Sequence, residues 1–387
     1  MSVVQGHCDP AFQAVRAVFE QGFADARNLG AGVTVFAGGK PVVDLWGGIA
    51  DRRTGRAWER DTPCIAFSCT KAVTATAALL LAERGAFALD APVTGWWPEF
   101  GVNGKEETTA AHLLTHQAGL PAFDRPVSAE EAADPAAMAA QLAGQTPEWT
   151  PGSGHGYHAL TYGWLTGEIV RRHAGRTVGE FVRAEFAPGL WIGSPPEVIE
   201  RAARLSTSRR TASGSDDPRP VRDDGGDLLT RLGTAYMDPQ SLLNRAVNNP
   251  AASYNNPVVL AGGWPAAGLV TTARDLAGFY RDLVGGRILR PQTLADALRP
   301  RVSGPDKVML VDSSFGLGYM RPAATFFTPR AGRDSAFGHT GAGGAVGLGD
   351  VDHDLALAFI PNLMGDQLSG DLRAYRLIEA AYSCLRN

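Results

Sequence analysis

The two ends of this chain share one pattern of elements, and the middle does not follow it. Near the amino terminus Gly32-Val33-Thr34-Val35-Phe36 and Val42-Val43-Asp44-Leu45-Trp46 flank Ala37-Gly38-Gly39-Lys40-Pro41, which reads as a β-hairpin. Ahead of it Phe12, Val15, Val18, Phe19 and Phe23 recur at helical spacing after the start signal Asp9-Pro10. Near the carboxyl terminus Ala345 to Val351, a turn at Asp352-His353 and Leu355 to Ile360 repeat the hairpin, and a helix from about Leu372 to Cys384 follows. The strands of the two ends therefore have to combine into one antiparallel sheet with helices packed on it.

Between the ends, from Ala72 to about Arg183, helical patterns dominate: Ala110 to His116, Ala132 to Leu142 and Leu160 to His173, separated by Gly and Pro. The fold class expected is α+β. At 387 residues the chain exceeds the size at which one core stops growing. Residues 1–72 and 257–387 are expected to form an α/β domain, and 73–256 a mainly helical one. The polar stretch 206–256 is too long for a structureless loop in a compact domain, so a lid or pocket wall with short helices around Leu228-Leu229 and Leu242-Leu243 is expected; disorder of part of it is the alternative.

With 44% apolar and 20% charged residues and a net charge of −4, the composition is that of a soluble globular protein. It has no basic run, so neither nucleic acid nor an anionic membrane is an expected partner, whereas small neutral or weakly charged substrates remain open. Met1 to His7 lacks a basic region followed by an apolar one, and the apolar run Ala72 to Ala82 is cut by Glu83-Arg84-Gly85, which suits a buried helix and not a membrane span. Cys8, Cys64, Cys69 and Cys384 show no C-x-x-C spacing, and a reducing cytoplasm is the expected location. Cys69, beside Ser68, is read as a small core residue.

Three short stretches carry chemistry. The first is Ser68-Cys69-Thr70-Lys71, at the start of the apolar helical run. A hydroxyl and an amine three residues apart on a helix share a face, and serine becomes a nucleophile when a neighbouring base takes its proton. Lysine can be that base only if burial or a nearby positive charge lowers its pKa, and an apolar helix start supplies burial. A helix N-terminus also aims N–H groups at a developing oxyanion. The alternative is a Ser N-cap followed by a surface lysine. The chain has 4 lysines and 17 serines, so one S-x-x-K match gains weight only from its neighbours.

The second stretch is Tyr157-His158-Ala159, delivered by the turn Trp149-Thr150-Pro151-Gly152-Ser153-Gly154 just before the helix starting at Leu160. A phenol there could shuttle a proton to a leaving group, or the ring could simply be core. The third is His339-Thr340-Gly341-Ala342-Gly343-Gly344, read as the start of a strand, where glycines let a ligand approach the backbone. A Gly-rich turn between strands is the alternative.

Taken in order, an S-x-x-K element, a tyrosine after a W-x-P-G turn and an H-T-G strand near the carboxyl end resemble the serine β-lactamase and penicillin-binding-protein superfamily. The closest resemblance is to the class C β-lactamase-like carboxylesterases, often called family VIII. Ala111-His112-Leu113-Leu114-Thr115-His116-Gln117-Ala118-Gly119-Leu120 and Ala267-Gly268-Leu269-Val270-Thr271-Thr272-Ala273-Arg274-Asp275-Leu276 are similar to signatures of that superfamily, and the likeness runs from about Ala11 to Leu385. It implies a β-lactamase-like fold with the site at the junction of its two parts. It further implies Ser68 as the acylated nucleophile, Lys71 as its base partner, Tyr157 as general acid/base, and the N–H groups of Ser68 and Ala342 as the oxyanion hole. His339, Thr340 and Gly341 would border the substrate, and Trp264 and Tyr254 would line the acyl pocket unless they are core.

Two departures shape the expected substrate. Class C β-lactamases carry Asn two residues after the tyrosine, where this chain has Ala159, and the lysine of the K-T-G element is His339, largely neutral at pH 7. Both favour a small, less charged ester over a β-lactam. His112 and His116 have the spacing of a two-histidine metal face but lack the glutamate of H-E-x-x-H, so no metal is expected. No G-x-S-x-G elbow or convincing nucleotide-binding glycine motif occurs, and no cofactor is expected. The expected activity is a serine carboxylesterase acting through an acyl-enzyme; acyl transfer from the same intermediate and residual β-lactam or D-amino-acid amide hydrolysis are the alternatives. The sequence does not reveal an oligomeric state.

Overall fold

The computed structural model describes residues 3–207, 228–365 and 370–385. One antiparallel sheet of seven strands is built from both chain ends. The first end supplies β1 (Val4–Cys8), α1 (Gln13–Ala24), β2 (Gly30–Ala37) and β3 (Lys40–Asp51). The second supplies β4 (Ala336–Thr340), β5 (Val346–Asp350), β6 (Leu355–Pro361) and α5 (Leu372–Cys384). The order is β1-β3-β2-β6-β5-β4, with the short strand Arg56–Ala57 beside β3. The ends join where β2 pairs with β6, Val33 opposite Phe359 and Val35 opposite Leu357.

The β2–β3 turn explains the first hairpin: Gly38 and Gly39 both take positive φ, 57° and 69°, the geometry of a two-residue turn matched to strand twist. Every residue of β6 is buried, because both faces of the sheet are covered. Val33, Val35, Leu355, Leu357 and Phe359 share one core with Val15 and Phe19 of α1 and Leu377 and Ile378 of α5. Phe36, Ala356, Ala358 and Ile360 pack into a second core with Leu276, Ala277 and Tyr280 of α4 (Ala273–Val284). Small residues on that second face bring α4 close: a Cβ on Gly347 would lie 2.3 Å from the Tyr280 ring.

The second core continues into the helical region. The helix α2 (Thr70–Glu83) is buried from Thr70 to Leu81, and beside it lies α3 (Thr161–Ala174), with Trp97, Leu114, Met138 and Leu142 in the same core. An apolar helix with no polar face must be enclosed in this way. Among the described residues no helix is long and apolar enough to cross a membrane.

Four details differ from the sequence reading or extend it. The edge strand β1 was not anticipated, since Val4-Gln5-Gly6-His7-Cys8 has no alternating pattern and takes its register from β3. His339 and Thr340 end β4 instead of beginning a strand, and Gly341 to Ala345 is the Gly-rich turn into β5. The helix Ala110–Leu114 stops before His116, which turns to φ 60°, so His112 and His116 do not share a helix face. Of the expected lid at 206–256, residues 208–227 lie outside the described residues; helices at Leu228–Met237 and Leu242–Asn248 stand where short ones were expected.

The seating of α4 is testable. Gly347→Ala should destabilise the fold by about 1–3 kcal/mol through the clash with Tyr280, whereas Gly278→Ala, on α4 facing open space, should be neutral or stabilise by up to about 1 kcal/mol. Urea unfolding of both variants measures this, and equal midpoints would contradict the packing described.

Candidate active site

Ser68 lies in a tight turn two residues before α2. Phe67, just ahead of it, takes the left-handed φ of 48°, a conformation that costs a non-glycine residue about 1 kcal/mol or more and survives only where neighbours enforce it. The enforcement is visible: Phe67 O accepts from the Thr70 hydroxyl (2.5 Å) and the Thr70 N–H (2.9 Å), and the Thr70 oxygen accepts the N–H of Leu269 (3.0 Å). Ala66 N–H donates to Leu269 O at 2.8 Å, so the turn is pinned to the strand Leu269–Thr271. The turn lifts Ser68 out of the core, and it is the one half-exposed residue between Pro63 and Leu81.

Lys71, one turn along, is fully buried. Its Nζ lies 3.1 Å from Ser68 Oγ, 2.7 Å from Ala159 O and 3.1 Å from Ala266 O. Burial holds its pKa well below the ordinary 10.5. A neutral amine has two N–H donors and one lone pair. With those two donors on the carbonyls, a neutral amine here would turn its lone pair toward the Ser68 hydroxyl.

Tyr157 completes the group. Its ring centroid lies 4.7 Å from Lys71 Nζ, and the Ser68 hydroxyl is near enough to act on its phenol. Burial pushes the phenol well above the usual 10; the Ser68 side chain opposes this, while Cys69, Asp306 and Tyr254 add to it. The phenol therefore keeps its proton at neutral pH.

The turn after β4 closes the far side. A Cβ on Gly341 would sit 2.4 Å from Ala66 O, so only glycine lets the end of β4 press against the Ser68 turn. Ala342, half-exposed, opens the short turn Ala342–Gly344, where a first N–H lacks an intrahelical partner. Arg373 holds this turn from behind, donating to Gly343 O (2.6 Å) while paired with Asp371 (2.7 Å).

The remaining residues expected at the site divide. Thr340 is 8% exposed, and Gly341 is buried. His339 is 1% exposed; its Nδ1–H donates to Thr340 O (2.6 Å), and its ring stands 6.0 Å from that of Tyr157. Trp264, also 1% exposed, packs between Trp164 and Tyr254 as core. Tyr254 stays half-buried against Phe67, 4.9 Å between ring centroids. The carbonyls of Ala159 and Ala266 were missed by the sequence reading, because a backbone acceptor leaves no mark on residue type.

Three buried histidines frame the site. His158 donates from Nδ1 to Gly156 O (2.7 Å) and accepts Leu120 N–H at Nε2 (3.0 Å), while His116 Nδ1 accepts His158 N–H (3.1 Å). Burial depresses all three: His158 to about 4, His339 to about 3, and His116 well below 6.5. Below pH 6.5 the unfolded chain binds protons that these folded residues refuse. Stability should therefore fall on acidification from pH 6.5 to 5, above the carboxylate range, by about 1.4 kcal/mol per pH unit for each such histidine. Urea unfolding across that window measures the slope; a flat profile would contradict the neutral cluster.

Comparison with known proteins places this arrangement in a family. A family model described as Beta-lactamase matches residues 15–382. The chain is 32% identical to the Esterase/beta-lactamase LipL of Mycobacterium tuberculosis, over 98% of this chain and 88% of that one. A solved family VIII carboxylesterase superposes with a TM-score of 0.86 at 31% identity, covering 98% of this chain and 99% of that one. A penicillin-binding protein homologue from Caulobacter crescentus gives 0.84 at 35% identity, with coverage of 98% and 99%. With a match across nearly its whole length and a β-lactamase-like α+β fold, the chain belongs to the beta-lactamase family.

Proposed function

We propose that this protein is a serine hydrolase that cleaves small, uncharged carboxylic esters through an acyl-enzyme on Ser68. The observation that carries this reading is the buried Lys71 amine, whose two donors are taken by Ala159 O and Ala266 O while Ser68 Oγ lies 3.1 Å away. In the acylation step the hydroxyl proton passes to the amine as Oγ bonds to the ester carbonyl carbon. The N–H groups of Ser68 and Ala342 stabilise the oxyanion, and the N-terminus of α2 adds its partial positive charge. As the carbon–oxygen bond to the alcohol breaks, the Tyr157 phenol protonates the leaving alkoxide and regains a proton from the Lys71 ammonium. Water then repeats the sequence on the acyl-enzyme. Lys71 and Tyr157 share protons throughout and titrate as a pair.

The substrate class follows from the charges at the site. The residue in the position of the K-T-G lysine is a buried neutral histidine, and Ala159 offers a carbonyl to Lys71 and no side-chain amide to a substrate. A β-lactam carboxylate would enter without a matching cation, whereas a neutral ester needs none. The names of the relatives, an esterase/beta-lactamase and a family VIII carboxylesterase, support the same class.

Ser68→Ala should lower kcat on p-nitrophenyl acetate by about 10³-fold or more and abolish labelling by a fluorophosphonate probe. Lys71→Ala should be comparably impaired. Nitrocefin turnover by the wild type should be far slower than ester turnover. Undiminished ester cleavage in Ser68→Ala would end this reading.

A further inference from the structure

Tyr157 stands in neither helix nor strand; it lies in the irregular run 154–158 ahead of α3, yet its phenol has to stay beside Ser68 and Lys71. The restraint comes from a hairpin distant in sequence, Val302–Pro305 paired with Asp312–Phe315, whose connecting loop folds onto this run. At the start of that loop Asp306 is 3% exposed. Its Oδ1 accepts the N–H of Tyr157 (3.0 Å), Val308 (2.9 Å) and Met309 (2.9 Å), and its Oδ2 accepts the Ser313 hydroxyl proton (2.8 Å). Because that proton is committed to Asp306, Ser313 Oγ must accept from His155 Nε2–H (3.0 Å), which ties the residue two before Tyr157 to the same carboxylate. Lys307 N–H donates to His155 O (3.1 Å), and Phe315 stacks on the Tyr157 ring at 6.2 Å and 13°.

A buried carboxylate is costly beside an apolar residue of similar size unless its acceptors are filled by well-aimed donors. Here two of those donors fix the run that carries Tyr157, one directly and one through Ser313. We infer that Asp306 is a positioning residue: its carboxylate anchors the main chain at Tyr157 so that the phenol reaches Ser68. It stands third in a relay of nucleophile, acid/base and orienting group, acting through a peptide N–H in place of a side-chain bond. The inference rests on the reading of Tyr157 as the proton donor in ester cleavage.

Steady-state kinetics on p-nitrophenyl acetate test it, with Asp306→Ala, Asp306→Asn, Tyr157→Phe and the double variant Tyr157→Phe/Asp306→Ala, each checked for folding by thermal melting. Asp306→Ala should lower kcat by about 10- to 100-fold with KM within about twofold of wild type. Asp306→Asn keeps an oxygen for the Tyr157 N–H and should recover most of the loss. In the Tyr157→Phe background, the same Asp306→Ala change should cost less than about threefold, because its effect passes through the phenol. A purely structural role predicts equal losses in both backgrounds and would overturn the inference, as would an Asn variant no better than Ala. If Asp306→Ala does not fold, Ser313→Ala, which removes one donor from the carboxylate, should lower kcat severalfold in wild type and not in Tyr157→Phe; equal effects would overturn it. A crippled Tyr157→Phe beside a fully active Asp306→Ala refutes the positioning role alone, whereas a fully active Tyr157→Phe refutes the role of the phenol and this inference with it.

Discussion

An amine sealed from water, with two backbone carbonyls on its N–H groups and a serine hydroxyl on its remaining side, is the feature on which the rest of this structure depends. The carbonyls belong to Ala159 and Ala266, 88 and 195 residues from Lys71. Neither a helix nor a hairpin could bring these groups together locally. The geometry exists only once α2 is enclosed, the run before α3 is seated and the strand Leu269–Thr271 has pinned the Ser68 turn. Folding and the state of the amine are thus linked, since the same burial that encloses Lys71 disfavours its ammonium form.

The sheet serves this arrangement from outside. By pairing β2 with β6 it closes the two chain ends into one body, and by covering both faces it fixes where β4 ends. That end falls against the Ser68 turn because Gly341 lets the backbone approach Ala66 O. Arg373, from α5, then braces the following turn through Gly343 O. Residues more than 250 positions apart in sequence therefore meet beside Ser68.

Much of the fold was legible because its periodicities are local. The hairpin at Gly38-Gly39 and the terminal helix Leu372–Cys384 carry their own turn and capping signals. What depends on a partner was not legible: β1 takes its register from β3, and the helix ending at Leu114 stops where His116 turns left-handed. At the site, Ser68, Lys71 and Tyr157 stood out as residue types in an ordered pattern. The carbonyls that hold Lys71 did not, since any residue could supply them. Burial also separated two aromatics that the sequence treated alike, Trp264 becoming core and Tyr254 remaining half-buried beside Phe67.

The protonation state of Lys71 can be measured directly, because the chain has only 4 lysines: Lys40, Lys71, Lys105 and Lys307. Protein labelled with 13C at the lysine ε-carbon, titrated by NMR, would show four resonances, and the Lys71 signal is the one lost in Lys71→Arg. The account predicts that this signal titrates well below 10.5, the ordinary lysine value. A Lys71 resonance titrating near 10.5 would mean an ammonium at neutral pH with no lone pair for Ser68, and would contradict it.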